Sequence, residues 1–82
     1  MSIEESIYEA IRKVKPSLTA IPLTPDTRFR NLGLESLERA IVVFELEDAH
    51  EISLVDAGLD RFETIAEACE VITRVLAEQA SA

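Results

Sequence analysis

Three residues carry the side chains best suited to bond-making chemistry. His50 is the one histidine and Cys69 the one cysteine, and Ser36 follows a glycine-containing stretch, Gly33-Leu34-Glu35, at the head of a strongly apolar run. A serine made nucleophilic within its own chain needs a base at about 3 Å. His50 lies fourteen residues beyond Ser36, on what the pattern makes the same helix, or ~21 Å away at about 1.5 Å per residue. The string Gly33-Leu34-Glu35-Ser36-Leu37 also lacks the Gly-x-Ser-x-Gly elbow of a hydrolase. A serine triad is excluded.

Metal chemistry fares no better. His50 and Cys69 belong to no ligand-spaced cluster. Glu47, Asp48 and Glu51 do not form a calcium-loop pattern and read as a solvated acidic face. Cys69 falls within an apolar stripe, where an inert, buried thiol is the default. His50 reads as a helix-end residue favoured by the dipole. No catalytic residue, no metal ligand and no enzymatic activity are expected.

Ser36 keeps two readings. Serine is a preferred N-cap, so it could simply close the start of a helix. A helix N-terminus also presents unpaired N–H groups and a positive dipole end, so a hydroxyl there could carry an anionic attachment. The residues around it must decide.

Three main helices position these groups. Ser2-Ile3-Glu4-Glu5 has capping-box spacing, and Ile3, Ile7, Ile11 and Val14 recur as one stripe until Pro16. Burying those four side chains contributes roughly 6–12 kcal/mol as an upper bound. That rivals the net stability of a small domain, so this helix packs on others. From Pro16 to Glu35 there are three prolines and no period. Leu18, Ile21, Leu23, Phe29 and Leu32 are expected to pin this stretch as a long ordered loop, with a proline turn at Thr24-Pro25-Asp26-Thr27.

The second helix is expected over Ser36 to Ala49. Leu37, Ala40, Ile41 and Phe44 share one face, and Val42, Val43 and Leu46 carry apolar surface around much of the rest. So apolar a helix needs cover on more than one side, by central packing or by a partner. Ile52 and Leu54 alternate with polar residues, and residues 56–61 could add a short helical segment weakened by Gly58. Thr64-Ile65-Ala66-Glu67 opens a last helix with a stripe of Ile65, Ala68, Cys69, Ile72, Val75 and Leu76, and the chain after Glu78 is expected to fray. The architecture expected is all-α: a small four-helix bundle of three main helices and one short one, in a single domain over residues 1–82.

Charge narrows the partners. Sixteen acidic against eight basic side chains give a net −8, which repels nucleic acid and anionic lipid and favours basic proteins. No apolar run approaches the ~20 residues of a membrane span, and the first residues lack a signal-peptide pattern. A soluble, cytoplasmic monomer is the expectation.

Across nearly its whole length the sequence resembles the phosphopantetheine-bearing acyl carrier proteins. Asp26-Thr27, Phe29 and Leu32-Gly33-Leu34-Glu35-Ser36-Leu37 follow the family pattern in order, as does the apolar and acidic helix through Leu46-Glu47-Asp48. Ile52-Ser53-Leu54 and Phe62-Glu63-Thr64-Ile65 continue it. The resemblance implies that a phosphopantetheinyl transferase, using coenzyme A, attaches 4'-phosphopantetheine to Ser36, and that the arm's thiol, not Cys69, carries acyl chains as thioesters. It also implies a partner-binding surface of Glu35, Leu37, Glu38, Ala40, Ile41, Phe44, Glu47 and Asp48, facing basic patches on acyl-loading and acyl-transfer enzymes. Val42, Val43 and Leu46 would face the core.

The sequence departs from the pattern at Glu35, usually aspartate, and at Arg39 and Ile41, which make the helix less acidic. His50 stands where an apolar aromatic is common, and Arg28 and Arg30 add positive charge before the motif. These leave open fatty-acid, specialised lipid or polyketide synthesis, an aminoacyl or peptidyl carrier, and a helical interaction module with Ser36 as a cap only.

Overall fold

The computed structural model describes residues 2–54 and 62–81. Helix α1 spans Ile3–Val14, α2 Ser36–His50 and α3 Ile65–Ser81. Ser2 starts α1 as read, its Oγ accepting the Glu5 N–H at 3.1 Å. Ile7 and Ile11 have no exposed surface and Ala10 is buried, while Ile3, Tyr8 and Val14 pack at the edge of the same core. Pro16, which has no N–H and disfavours a helical residue before it, closes the helix at Lys15.

Helix α1 is the middle element and packs against both α2 and α3. A polar residue joins the α1 seam: Ser6 is buried and shares a hydrogen bond of 2.8 Å with His50 Nε2. His50 thus ties the end of α2 to α1, a role beyond the helix-end one expected of it.

The long loop is ordered, with short 3-10 turns at Pro16–Ala20 and Phe29–Leu32. Leu18, Leu23, Phe29 and Leu32 anchor it, but Ile21 does not and stays 46% exposed. The loop also closes the head of α3. The Ala66 N–H donates to the Pro25 carbonyl at 2.9 Å and the Ile65 N–H to the Thr27 carbonyl at 3.1 Å. The Phe29 N–H returns to the Glu63 carbonyl at 2.9 Å. Two of the unpaired donors at a helix start are thereby satisfied by backbone some forty residues earlier in the chain, which explains why so long a loop holds its shape.

At the head of α3, Thr64 Oγ1 accepts the Glu67 N–H, while the Glu67 carboxylate accepts from the Glu63 N–H, one residue earlier than a strict capping box. Ile65, Ala68 and Ile72 have no exposed surface. Contrary to the expected fraying after Glu78, α3 runs to Ser81. Ala77, Glu78, Gln79 and Ala80 are good helix formers with no glycine or proline to stop them. Ile52 and Leu54 are buried around an exposed Ser53. The short helical segment expected at 56–61 lies outside the described residues. Among the described residues there is no strand, only an isolated bridge between Arg28 and Thr64, and no helix long and apolar enough to cross a membrane.

Candidate functional site

Gly33 adopts the left-handed conformation, φ 67°, ψ 25°, and turns the chain from the second 3-10 turn toward α2. A side chain at that backbone angle would be strained, so glycine is required by the turn. Glu35, extended at φ −78°, ψ 165°, is the N-cap of α2. Its carboxylate accepts the Glu38 N–H, and Glu38 Oε1 accepts the Glu35 N–H at 2.9 Å. This is a reciprocal capping box with glutamate in the place usually held by serine or threonine.

The capping question is settled by that arrangement. Ser36 is the first residue inside the helix, not its cap, and it is exposed. Glu35, the least typical neighbour in the sequence, has taken the capping role. An exposed hydroxyl on the first turn of a helix stands where an attached phosphate is favoured by the dipole, by ~0.3–1 kcal/mol.

Behind Ser36, α2 divides its apolar residues between two faces. Val42 and Leu46 are buried and Val43 is half-buried, as expected of the inner side. On the outer side Leu37 is 71% exposed, Phe44 59% and Ile41 38%, with Ala40 half-buried among them. Glu35 and Asp48 are exposed. Glu38 and Glu47 are half-buried and have carboxylate oxygens engaged with backbone: Glu38 in the capping box, and Glu47 Oε2 accepting the Leu54 N–H at 2.6 Å. Glu47 therefore holds down the chain after α2.

A cavity of ≈ 210 Å³ opens beside the serine. Phe29 and Leu34 wall it from the loop, and Ala40, Val42, Val43 and Leu46 from α2, with Ser36 and Arg39 completing the lining. An apolar cavity of about 150 Å³ admits a benzene ring, so this one has room for a short aliphatic chain.

The other sequence candidates stay apart from this site. Cys69 is half-buried on α3, and burial, followed by the Glu4 charge, pushes its thiol above the ordinary value, which keeps it protonated and a poor nucleophile. His50 is at the opposite end of α2, bonded to Ser6. Among the described residues no group of three or more His, Cys, Asp or Glu is placed to hold a metal. The sequence reading missed Lys15. Its Nζ donates to the Gly33 carbonyl at 2.7 Å. Nothing local marks this, because the two residues meet only once the loop has folded back.

Residues 9–72 match the family described as the phosphopantetheine attachment site. The chain belongs to that family. It is 37% identical over 72 residues to the acyl carrier protein of Onion yellows phytoplasma (strain OY-M), covering 83% of this chain and 95% of that one. The acyl carrier protein of Aster yellows witches'-broom phytoplasma (strain AYWB) is 36% identical over the same length and shares. Acyl carrier protein 4, chloroplastic, of Arabidopsis thaliana is 31% identical over 78 residues, or 95% of this chain and 57% of that one. No solved structure matches the chain significantly. The group the family attaches is phosphopantetheine, and an exposed serine on a helix N-terminus, relieved of capping, suits a phosphodiester.

Proposed function

We propose that this protein is an acyl carrier whose phosphopantetheine arm is attached at Ser36. The observation that carries the proposal is the exposed Ser36 hydroxyl on the first turn of α2, with the capping duty held by Glu35 and Glu38. Oγ forms a bond to the phosphorus that bears the pantetheine, the pyrophosphate bond of coenzyme A breaks, and adenosine 3',5'-bisphosphate leaves. The proton of the hydroxyl passes to the transferase. The bound arm supplies a thiol that carries acyl groups as thioesters.

Beyond the Ser36 oxygen that accepts the arm, the chain contributes surfaces, which fits a carrier and not a catalyst. Leu37, Ala40, Ile41 and Phe44 form an apolar docking face, with Glu35, Glu38, Glu47 and Asp48 around it, for the basic patches of a transferase and of acyl-loading and acyl-transfer enzymes. Acid on the carrier meeting base on the enzyme speeds encounter and sets register more than it tightens binding. The cavity beside Ser36 shelters part of a short acyl chain. The pathway is fatty-acid, specialised lipid or polyketide synthesis, served by a soluble, cytoplasmic and monomeric carrier.

Intact mass after incubation with coenzyme A, magnesium and a broad-specificity transferase tests the proposal. One phosphopantetheine should be gained, and none by Ser36→Ala. No gain in the wild type, or a gain that survives the substitution, overturns it. Loading of the holo form by acyl-activating but not amino-acid-activating enzymes separates an acyl from an aminoacyl carrier.

A further inference from the structure

Lys15 is remote in sequence from the serine but joined to both sides of it. It stands just after α1, its backbone N–H bonded to the Ile11 carbonyl at 2.9 Å. Its ammonium donates to the Gly33 carbonyl at 2.7 Å and lies 3.9 Å from Glu38 Oε1. Gly33 is the left-handed hinge of the turn, and Glu38 is the third residue of α2. One side chain, 30% exposed, thus spans the segment Gly33–Glu38, and Ser36 lies inside it.

Glu35 and Glu38 flank Ser36 with two carboxylates, and an incoming phosphate adds a third negative group. Lys15 brings a positive charge into contact with this segment. We propose that Lys15 is a positioning residue for attachment of the arm: it fixes the Gly33 turn so that the hydroxyl is presented, and it offsets the charge that opposes the phosphate. The proposal rests on Ser36 being the attachment point. Because its hydrogen bond is charge-assisted, the ammonium holds the carbonyl more firmly than a neutral donor would.

The test is the steady-state kinetics of transfer from coenzyme A, with the carrier as varied substrate, at a temperature where circular dichroism shows every variant folded. Lys15→Met should raise the KM for the carrier about tenfold and change kcat less than about twofold, because the presented turn is populated less often. Lys15→Arg should restore most of the loss. Should Lys15→Met not fold, Lys15→Gln keeps a donor for the carbonyl without the charge and should raise KM by about threefold. Wild-type KM in Lys15→Met or Lys15→Gln, or a loss that Lys15→Arg does not recover, overturns this role while leaving the attachment at Ser36 intact. A wild-type chain that accepts no arm overturns the attachment itself, and this role with it.

Discussion

Helices α1 and α2 are both rich in aliphatic residues, and of similar length at 12 and 15 residues, but they dispose of them in opposite ways. In α1 the aliphatic residues form one stripe and turn inward: Ile7 and Ile11 show no surface. Its outer side carries Glu4, Glu5, Glu9 and Lys13. In α2 only Val42 and Leu46 are buried, and Leu37 and Phe44 project from the other side, more than half exposed. An amphipathic stripe that matches its buried face is fully explained by folding. Apolar side chains left over after the core is closed need another occupation, and on α2 they begin one residue after the serine.

The largest effect that could break this contrast is on stability. Ile11→Ala should cost about 2–5 kcal/mol in denaturant unfolding, because a fully buried aliphatic leaves a cavity. Phe44→Ala should cost less than about 1 kcal/mol, as surface substitutions do, yet slow loading of the holo protein by its acyl-transfer enzymes. Equal costs for the two substitutions would show that Phe44 is part of the fold and that α2 has no separate docking face.

A smaller effect sharpens the same contrast at the head of α2. Glu35→Ala should destabilise by about 1 kcal/mol, since it removes one half of the capping box. Ser36→Ala should change stability by no more than about 0.5 kcal/mol, while abolishing the attachment proposed there. Thermal or denaturant melting of the two variants checks this, and a reversal of their order would return the cap to Ser36.

Much of this was legible in the sequence. The stripe Ile3, Ile7, Ile11 and Val14, the start at Ser2 and the division of α2 into Val42 and Leu46 inside and Leu37 and Phe44 outside follow from helical periodicity and the family pattern. Long-range pairings were not legible, because no local pattern encodes them. Ser6 with His50, Lys15 with Gly33, and Pro25 and Thr27 with the head of α3 join residues far apart in the chain. The capping box escaped for a different reason: serine is the preferred cap, and only the backbone shows that Ser36 is already helical, with Glu35 doing the capping.

The smallest predicted effect belongs to the inner seam, where Tyr8 of α1 feels the charge of Cys69 of α3. Burial is the main cause that raises both above their ordinary values, and the Glu4 charge is the next for each. A group whose folded value is raised holds its proton more tightly when folded. Its contribution to stability is complete below the ordinary thiol or phenol value and is lost as pH climbs through the folded value. The midpoint of thermal unfolding should therefore fall as the solution is made alkaline past the ordinary thiol range. Cys69→Ala should fall less steeply, and so should Glu4→Gln, which removes a charge that acts on both groups. Phe44→Ala, on the outer face of α2, should follow the wild-type pH profile. If Cys69→Ala also followed it, the thiol would not be coupled to folding, and the seam between α1 and α3 would be as tolerant of charge as the docking face is of truncation.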